Sequence, residues 1–360
     1  MEKMKNRCFL LLPLLFAALC LACWLHRPNA ESLSERRKLA QMPKFSLSSL
    51  QSGSFASNFE SYTQDQFPLR ESFRRAKALI SVKLLGRQDN NGIYESKEGF
   101  YAQLEYPENL DSIDYAAGRF EWIYNRYLSG SNRVYVSIIP DKSYFLEVPK
   151  LHYSAFSDRL REKTPFAKFL DISQNLTLES YYRTDTHWRQ EKIGDAAKTL
   201  AAGMGKTLTE TYTDLLAKSD FLGVYAGQSS LPMAGEPLNY VWSDSWDRVT
   251  VLNRENDEAM GIYDWEALSG RDPYEFFLSG SLSLITLENP NAKTDDRLIV
   301  FRDSFGSSIA PYFLEAYREI TLVDIRYLSP QRLGKLLDFT DCDVLFLYST
   351  LVLNNSQTIK

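Results

Sequence analysis

The residues with the clearest capacity for chemistry are Ser304, His187 and Asp185. Ser304 stands where the apolar run Leu298-Ile299-Val300-Phe301 gives way to a helical pattern. A side chain at such a strand-to-helix junction emerges at the carboxyl edge of a sheet, where open α/β sheets form their ligand clefts. The first amides of the helix, those of Phe305 and Gly306, lack partners within it and would suit an oxyanion. Ser304 could equally cap that helix, and Asp303 could do the same. The second element is Asp185-Thr186-His187-Trp188. In an extended segment residues two apart point the same way, so Asp185 and His187 share a side. A serine hydroxyl is protonated at neutral pH and needs a neighbouring base. Imidazole, titrating at about 6.5, serves if a carboxylate fixes its tautomer. Taken singly, His187 also reads as a solvated histidine beside a helix-capping Asp185, and Trp188 as a core residue rather than a carbohydrate platform.

Other chemistries are poorly supplied. The only histidines are His26, His152 and His187, and Cys342 is the only cysteine outside an apolar amino-terminal run, so neither a Cys/His metal cluster nor an internal disulfide is expected. A metalloenzyme built on Asp185 and His187 is short of ligands. Net charge of −5, from 41 basic and 46 acidic side chains, offers no field for gripping phosphate backbones, which argues against nucleic acid. No glycine-rich phosphate loop occurs, and no cofactor is expected. The aromatic content of 13% suits a protein that handles carbohydrate or packs a large sheet.

The elements that must position these residues follow from periodicity. A length of 360 residues allows one large domain or two ordinary ones. Val134, Val136 and Ile138 alternate in a strand stopped by Pro140. Residues 298–301, 320–325 and 344–348 are strand-like, with helices expected at 191–202, from Gly306 to Tyr317, and at 331–337. Alternating strands and helices with fully apolar strands imply a mainly parallel sheet buried on both faces. Phe120, Ile123, Tyr124 and Tyr127 share a helical face. Phe55, Phe59 and Tyr62 fall at helical spacing, as do Leu69, Phe73, Ala76, Ile80 and Leu84, with Pro68 separating two helices. A hairpin is expected around Lys97-Glu98-Gly99. Residues 206–275 show no clear period and read as an excursion over a cleft.

At the amino terminus, Lys3, Lys5 and Arg7 precede an uncharged run over residues 8–25. Eighteen helical residues span about 27 Å, close to the hydrocarbon core of a bilayer. The run reads as a signal anchor within residues 1–30 that leaves the rest of the chain outside the cytoplasm, or as a peptide cleaved at Pro28-Asn29-Ala30 or lipidated at Cys23. Residues 31–51 are a polar linker, and 52–360 form the main domain.

Together these motifs resemble the DHHW family and the related alginate O-acetyltransferases, which share an SGNH-hydrolase-like domain. The resemblance rests on Asp-x-His-Trp, on the later Asp303-Ser304-Phe305-Gly306, and on segments in family order: Tyr62-Thr63-Gln64-Asp65-Gln66-Phe67-Pro68-Leu69-Arg70, Asn91-Gly92-Ile93-Tyr94, Ile139-Pro140-Asp141-Lys142 and Val323-Asp324-Ile325-Arg326-Tyr327. It implies a three-layer α/β/α domain behind an N-terminal membrane helix, with Ser304 as nucleophile, His187 as general base and Asp185 as its orienter. The family's second motif residue, often His, is Thr186 here, and the Gly and Asn blocks that complete the oxyanion hole of ordinary SGNH enzymes find no match. Lys142 and Arg302 are candidates for binding an anionic sugar or a carboxylate, or else are surface or ion-pair residues. The activity implied is O-acyl (O-acetyl) transfer to, or ester hydrolysis on, a cell-envelope polysaccharide, with a membrane-bound O-acyltransferase as partner. The alternative is a non-catalytic polysaccharide-binding or assembly protein of the envelope.

Overall fold

Apolar residues on both faces of a strand can be buried only between two layers, and the central sheet is built that way. In the computed structural model, which describes residues 13, 14, 17–19, 21–23, 25–147 and 150–360, eight strands form it. They are β1 (Arg133–Ile139), β2 (Lys168–Phe169), β3 (Thr250–Asn253), β4 (Glu258–Met260), β5 (Leu284–Glu288), β6 (Arg297–Arg302), β7 (Glu319–Val323) and β8 (Cys342–Ser349). Their order is β4-β3-β5-β7-β6-β8-β1-β2. From β7 to β2 every pairing is parallel, with Val300 opposite Leu322 on one side and Leu345 on the other; β4, β3 and β5 add antiparallel strands at the far edge.

Alternate residues of each strand feed different layers. Ile299, Phe301, Val344 and Phe346 pack with helices α1 (Leu110–Tyr127) and α2 (Tyr153–Lys163), while Leu298, Val300, Leu345 and Leu347 pack with helix α3 (Gly194–Gly203) and residues 309–317. Helix α1 starts at Asn109, whose side chain accepts the Ser112 amide, and buries Ile113, Ala116, Phe120 and Ile123 at helical spacing. The Phe120 ring stacks 4.5 Å from that of Phe346, a burial worth about 1.5–3 kcal/mol. The expected mainly parallel sheet between helical layers is thus present.

Two expectations change. The helix after Ser304 is α-helical only over Gly306–Ile309 and continues as a 3-10 helix over Ala310–Glu315, because Pro311 brings no amide to an α-helical ladder. Residues 206–275 carry more order than their sequence suggests, with a hairpin of Thr213–Phe221 and Glu236–Trp242 as well as β3 and β4. The membrane reading of the run at 8–25 falls half outside the described residues, which exclude 8–12, 15, 16, 20 and 24. Among the described residues no helix is long and apolar enough to cross a membrane.

Contacts divide the chain into two units, residues 91–226 with 233–360, which hold the sheet, and residues 1–90 with 227–232. The second unit contains a two-stranded ladder of Glu31–Ser32 with Arg37–Lys38 and the helices Leu47–Gln51, Ser54–Asp65 and Arg70–Leu79, the last continued by a π-helical turn, Ile80–Leu84. Its interior is ionic. Arg37 grips Asp65 with two hydrogen bonds of 2.8 and 2.5 Å, and Arg70 grips Glu35 at 2.6 and 3.2 Å. The buried Gln66 side chain bridges the Asn29 amide and the carbonyls of Asn29 and Ala40. Hydrogen bonding from Arg37, against the opposing effect of burial, pulls the Asp65 carboxyl down to about 2. The Asp65-Gln66 and Arg70 positions of the family-like segment therefore do structural work.

Candidate active site

Strand β6 delivers Ser304 to the carboxyl edge of the sheet through a turn held at several points. Asp303 accepts the Phe305 amide on one carboxylate oxygen (3.0 Å) and the Ser349 amide and hydroxyl on the other (2.8 and 2.7 Å), tying the turn to the end of β8. Gly306 is required, since a Cβ there would lie 2.6 Å from the Arg302 Cβ. Ser304 itself remains half-buried.

His187 arrives on a tight loop. Residues 182–187 are closed by the bridge between Tyr181 and Trp188, with the Tyr182 amide donating to the His187 carbonyl at 3.1 Å. His187 Nδ1 lies 2.6 Å from Asp185 Oδ2, and its Nε2 lies 2.7 Å from the Ser304 hydroxyl oxygen. A carboxylate only accepts, so Nδ1 carries the proton and Nε2 is left to accept from Ser304. Asp185 is fully buried and its Oδ1 accepts the Val224 amide at 2.6 Å. The backbone passes so close here that a Cβ on Gly223 would fall 2.2 Å from the Asp185 Cβ. The structure therefore brings Ser304, His187 and Asp185 together in one hydrogen-bonded chain.

Several neighbours hold this chain in place, and all but Phe305 had no signal in the sequence. The Tyr274 ring lies 3.8 Å from the imidazole and 7° from parallel, and its hydroxyl is 2.9 Å from that of Ser308. The Phe305 ring closes on the imidazole from 4.9 Å. The Glu236 carboxylate accepts the amides of Arg183 and Thr184 and the Thr184 hydroxyl at 2.8–2.9 Å, fixing the turn just before Asp185. Gln190 donates to the Ser308 carbonyl and accepts the Val241 amide, linking the helix after Ser304 to the hairpin.

The three side chains considered for substrate binding lie in the interior instead. Trp188 is fully buried, its Nε1 donating to the Ser308 hydroxyl at 2.7 Å and the Phe305 carbonyl at 3.2 Å. Lys142 is likewise fully buried and donates to the carbonyls of Tyr182 (2.6 Å) and Arg183 (3.3 Å), beneath the loop that carries the base. Burial pulls its ammonium down to about 8, against Asp141, Asp185 and Glu236, which favour the charged form. Arg302 is fully buried too and donates to the carbonyls of Gly280, Leu282 and Asp303. Each donates to loop carbonyls, and none offers surface to a ligand. The amides of Phe305 and Gly306 are also taken, by the Asp303 side chain and carbonyl respectively, so neither stands free for an oxyanion. The Ser304 amide has no hydrogen-bond partner among the described residues.

A buried carboxylate, an oriented imidazole and a partly exposed hydroxyl thus meet at the carboxyl edge of the parallel sheet, the arrangement that a serine nucleophile would need. No family model and no curated protein matches the chain. Solved structures do. A DHHW family protein from Eubacterium siraeum DSM 15702 superimposes with a TM-score of 0.58 at 20% identity, over 75% of this chain and 95% of that one. PatB1 from Bacillus cereus, solved with a sulfonyl adduct, gives 0.56 at 17% identity over 72% and 94% of the two chains. The O-acetyltransferase domain of Pseudomonas putida AlgJ gives 0.45 at 12% identity, over 73% and 92%. The chain shares its fold with the DHHW protein and PatB1, and the family that its motifs resemble is represented among its structural neighbours.

Proposed function

We propose that the protein is a serine-dependent O-acyltransferase, with acetyl as the transferred group, that modifies hydroxyls of a cell-envelope polysaccharide. In this reading the amino-terminal run tethers the chain and leaves the sheet unit outside the cytoplasm. The observation that carries it is the continuous chain from Asp185 through His187 to the Ser304 hydroxyl, at 2.6 and 2.7 Å. His187 Nε2 would take the Ser304 proton as the oxygen attacks an acyl carbonyl, and the resulting imidazolium would protonate the leaving group. The acyl-serine would then be attacked by a sugar hydroxyl, again deprotonated by His187, releasing free Ser304 and the ester. Water in place of the sugar gives the esterase version. Asp185 stabilises the imidazolium at each stage. The unpartnered Ser304 amide is the donor best placed by its position to meet the oxyanion.

Two further observations support the reading. PatB1, with the same fold, was captured with a sulfonyl adduct, and sulfonyl electrophiles trap activated nucleophiles. The resemblance to alginate O-acetyltransferases adds the acyl group, the polysaccharide and a membrane-bound O-acyltransferase as the partner that would deliver the acyl group. The test is labelling of the purified chain with a sulfonyl fluoride and turnover of p-nitrophenyl acetate. Both should vanish in Ser304→Ala and His187→Ala. Equal signal in wild type and the two variants would favour the second reading, a non-catalytic polysaccharide-binding or assembly protein.

A further inference from the structure

The helical unit is built inside out. Leu47–Gln51 and Ser54–Asp65 bury no residue at all. The helix beginning at Arg70 turns Arg74, Ala78 and Ser81 inward, with Arg74 donating to the Gly227 carbonyl at 2.6 Å and pairing with Glu35 at 3.1 Å. Its large apolar residues Phe73, Leu79, Ile80 and Leu84 are exposed. Leu84 is 77% exposed, Phe73 54% and Ile80 50%. On the preceding segment Phe45, Phe55, Phe59 and Tyr62 form a continuous aromatic row with ring-to-ring steps of 5.5, 6.0 and 6.2 Å, and Phe45 is 65% exposed. A twelve-residue helix with nothing buried is marginal in water, and an exposed apolar patch of this extent marks an interaction surface.

We propose that this face lies on an anionic bilayer surface, an inference that rests on the tethered reading above. Two features select lipid over other occupants. The apolar run at 8–25 belongs to the same unit and ends twenty residues before Phe45, so a chain held by that run keeps the aromatic row within reach of the headgroups. Exposed Arg75, Lys77, Lys83 and Arg87 accompany Phe73, Ile80 and Leu84, which is the composition of an interfacial helix that meets acidic lipid. The face would hold the tethered chain against the membrane rather than leave it on a free stalk.

The test uses the full chain on phosphatidylglycerol/phosphatidylethanolamine vesicles and on phosphatidylcholine vesicles. Amide hydrogen exchange over residues 54–84 should slow at least about tenfold on the anionic vesicles. In the combined variant Phe59→Ser, Phe73→Ser, Leu84→Ser it should return to the rate in phosphatidylcholine, with flotation and p-nitrophenyl acetate turnover unchanged. Flotation with no slowing overturns the surface and spares the tether. A chain that does not float overturns both. Slowing that rises with protein concentration in the absence of vesicles assigns the face to a second copy and overturns the lipid proposal. The esterase readout reports on the catalytic reading independently of all three.

Discussion

The two units of this chain solve the burial problem in opposite ways. In the sheet unit, apolar strands fill the interior, and the polar groups that enter it, such as Glu236, Arg302 and Asp303, are hydrogen-bonded to backbone. In the helical unit, carboxylates, arginines and Gln66 hold the interior while Phe45, Phe73 and Leu84 face outward. Helical spacing of apolar residues therefore establishes that a face is apolar, and not that the same chain covers it. The sheet unit can support a rigid site because its core is specified by packing. The helical unit is specified by charge, so it should answer to acid, to salt and to its surroundings.

The sharpest break between the units should come from the site. Asp185→Asn replaces an acceptor by a group that can donate to Nδ1 of His187, which favours the tautomer unable to accept the Ser304 proton. We expect p-nitrophenyl acetate turnover to fall about 10³–10⁴-fold with little change in unfolding midpoint. A loss below tenfold would remove the carboxylate from the proposed mechanism. Next in size is Glu236→Ala. It strands two amides and a hydroxyl within the turn that precedes Asp185, and each unsatisfied buried group costs about 1–3 kcal/mol. Urea unfolding followed by tryptophan fluorescence should show a loss of about 3 kcal/mol, with turnover falling as well because the base loses its footing. Unchanged stability would mean the loop is held by other contacts.

How far the sequence could foresee these features depended on the range of the interaction. The strands around residues 134–138, 298–301, 320–325 and 344–348 were legible because continuous apolar runs have few other homes, and Ser304 was legible because it follows one of them. Asp185 and His187 were legible because their contact spans two residues. Glu236 and Tyr274 were not. They reach the base from about 50 and 90 positions away, through a stretch with no period, and only the folded hairpin and the loop beyond it bring them near. Lys142 and Arg302 misled for a different reason. Charged residues are seldom fully buried, yet here the carbonyls of tight loops take the place of water. Their positions at the carboxyl ends of β1 and β6, where the chain turns sharply, were the available signal. For Phe305 the general rule that first-turn amides are free failed because the preceding Asp303 side chain claims one.

Buried Lys142 gives the sheet unit its own pH signature. Its ammonium titrates at about 8 in the folded chain against an ordinary value of 10.5. Between those values the unfolded chain holds a proton that the folded chain has released, so stability rises with pH. The window runs from about 8 to about 10, above which the unfolded chain's tyrosines begin to ionise while buried Tyr181, Tyr182 and Tyr274, raised by burial, do not; that reverses the slope. We expect a rise on the order of 1–2 kcal/mol across the window in urea unfolding, flattened in Lys142→Met. A flat wild-type profile would show that the loop carbonyls and carboxylates keep the ammonium charged.

The smallest effect should be the acid response of the helical unit, where stability again rises with pH but the ionised form is the one that folding favours. Asp65 titrates at about 2 when folded, against 3.8 ordinarily, because Arg37 holds its ionised form. The stabilisation is complete above pH 3.8 and is lost as pH falls through the folded value, since the unfolded chain takes up its proton first. The pair is partly solvated, with Arg37 41% exposed, so the loss should be about 1 kcal/mol and should shrink in 1 M salt. Helical circular dichroism alone would mix the two units. Hydrogen exchange resolved over residues 54–84 separates them, and there opening should increase several-fold between pH 4.5 and 2.5 after correction for the intrinsic exchange rate. Asp65→Asn should remove most of that pH dependence at the cost of faster exchange at neutral pH. If the wild-type segment instead exchanges at the unprotected rate at every pH, the ion pairs do not hold the helices by themselves, and whatever covers their apolar face supplies the order.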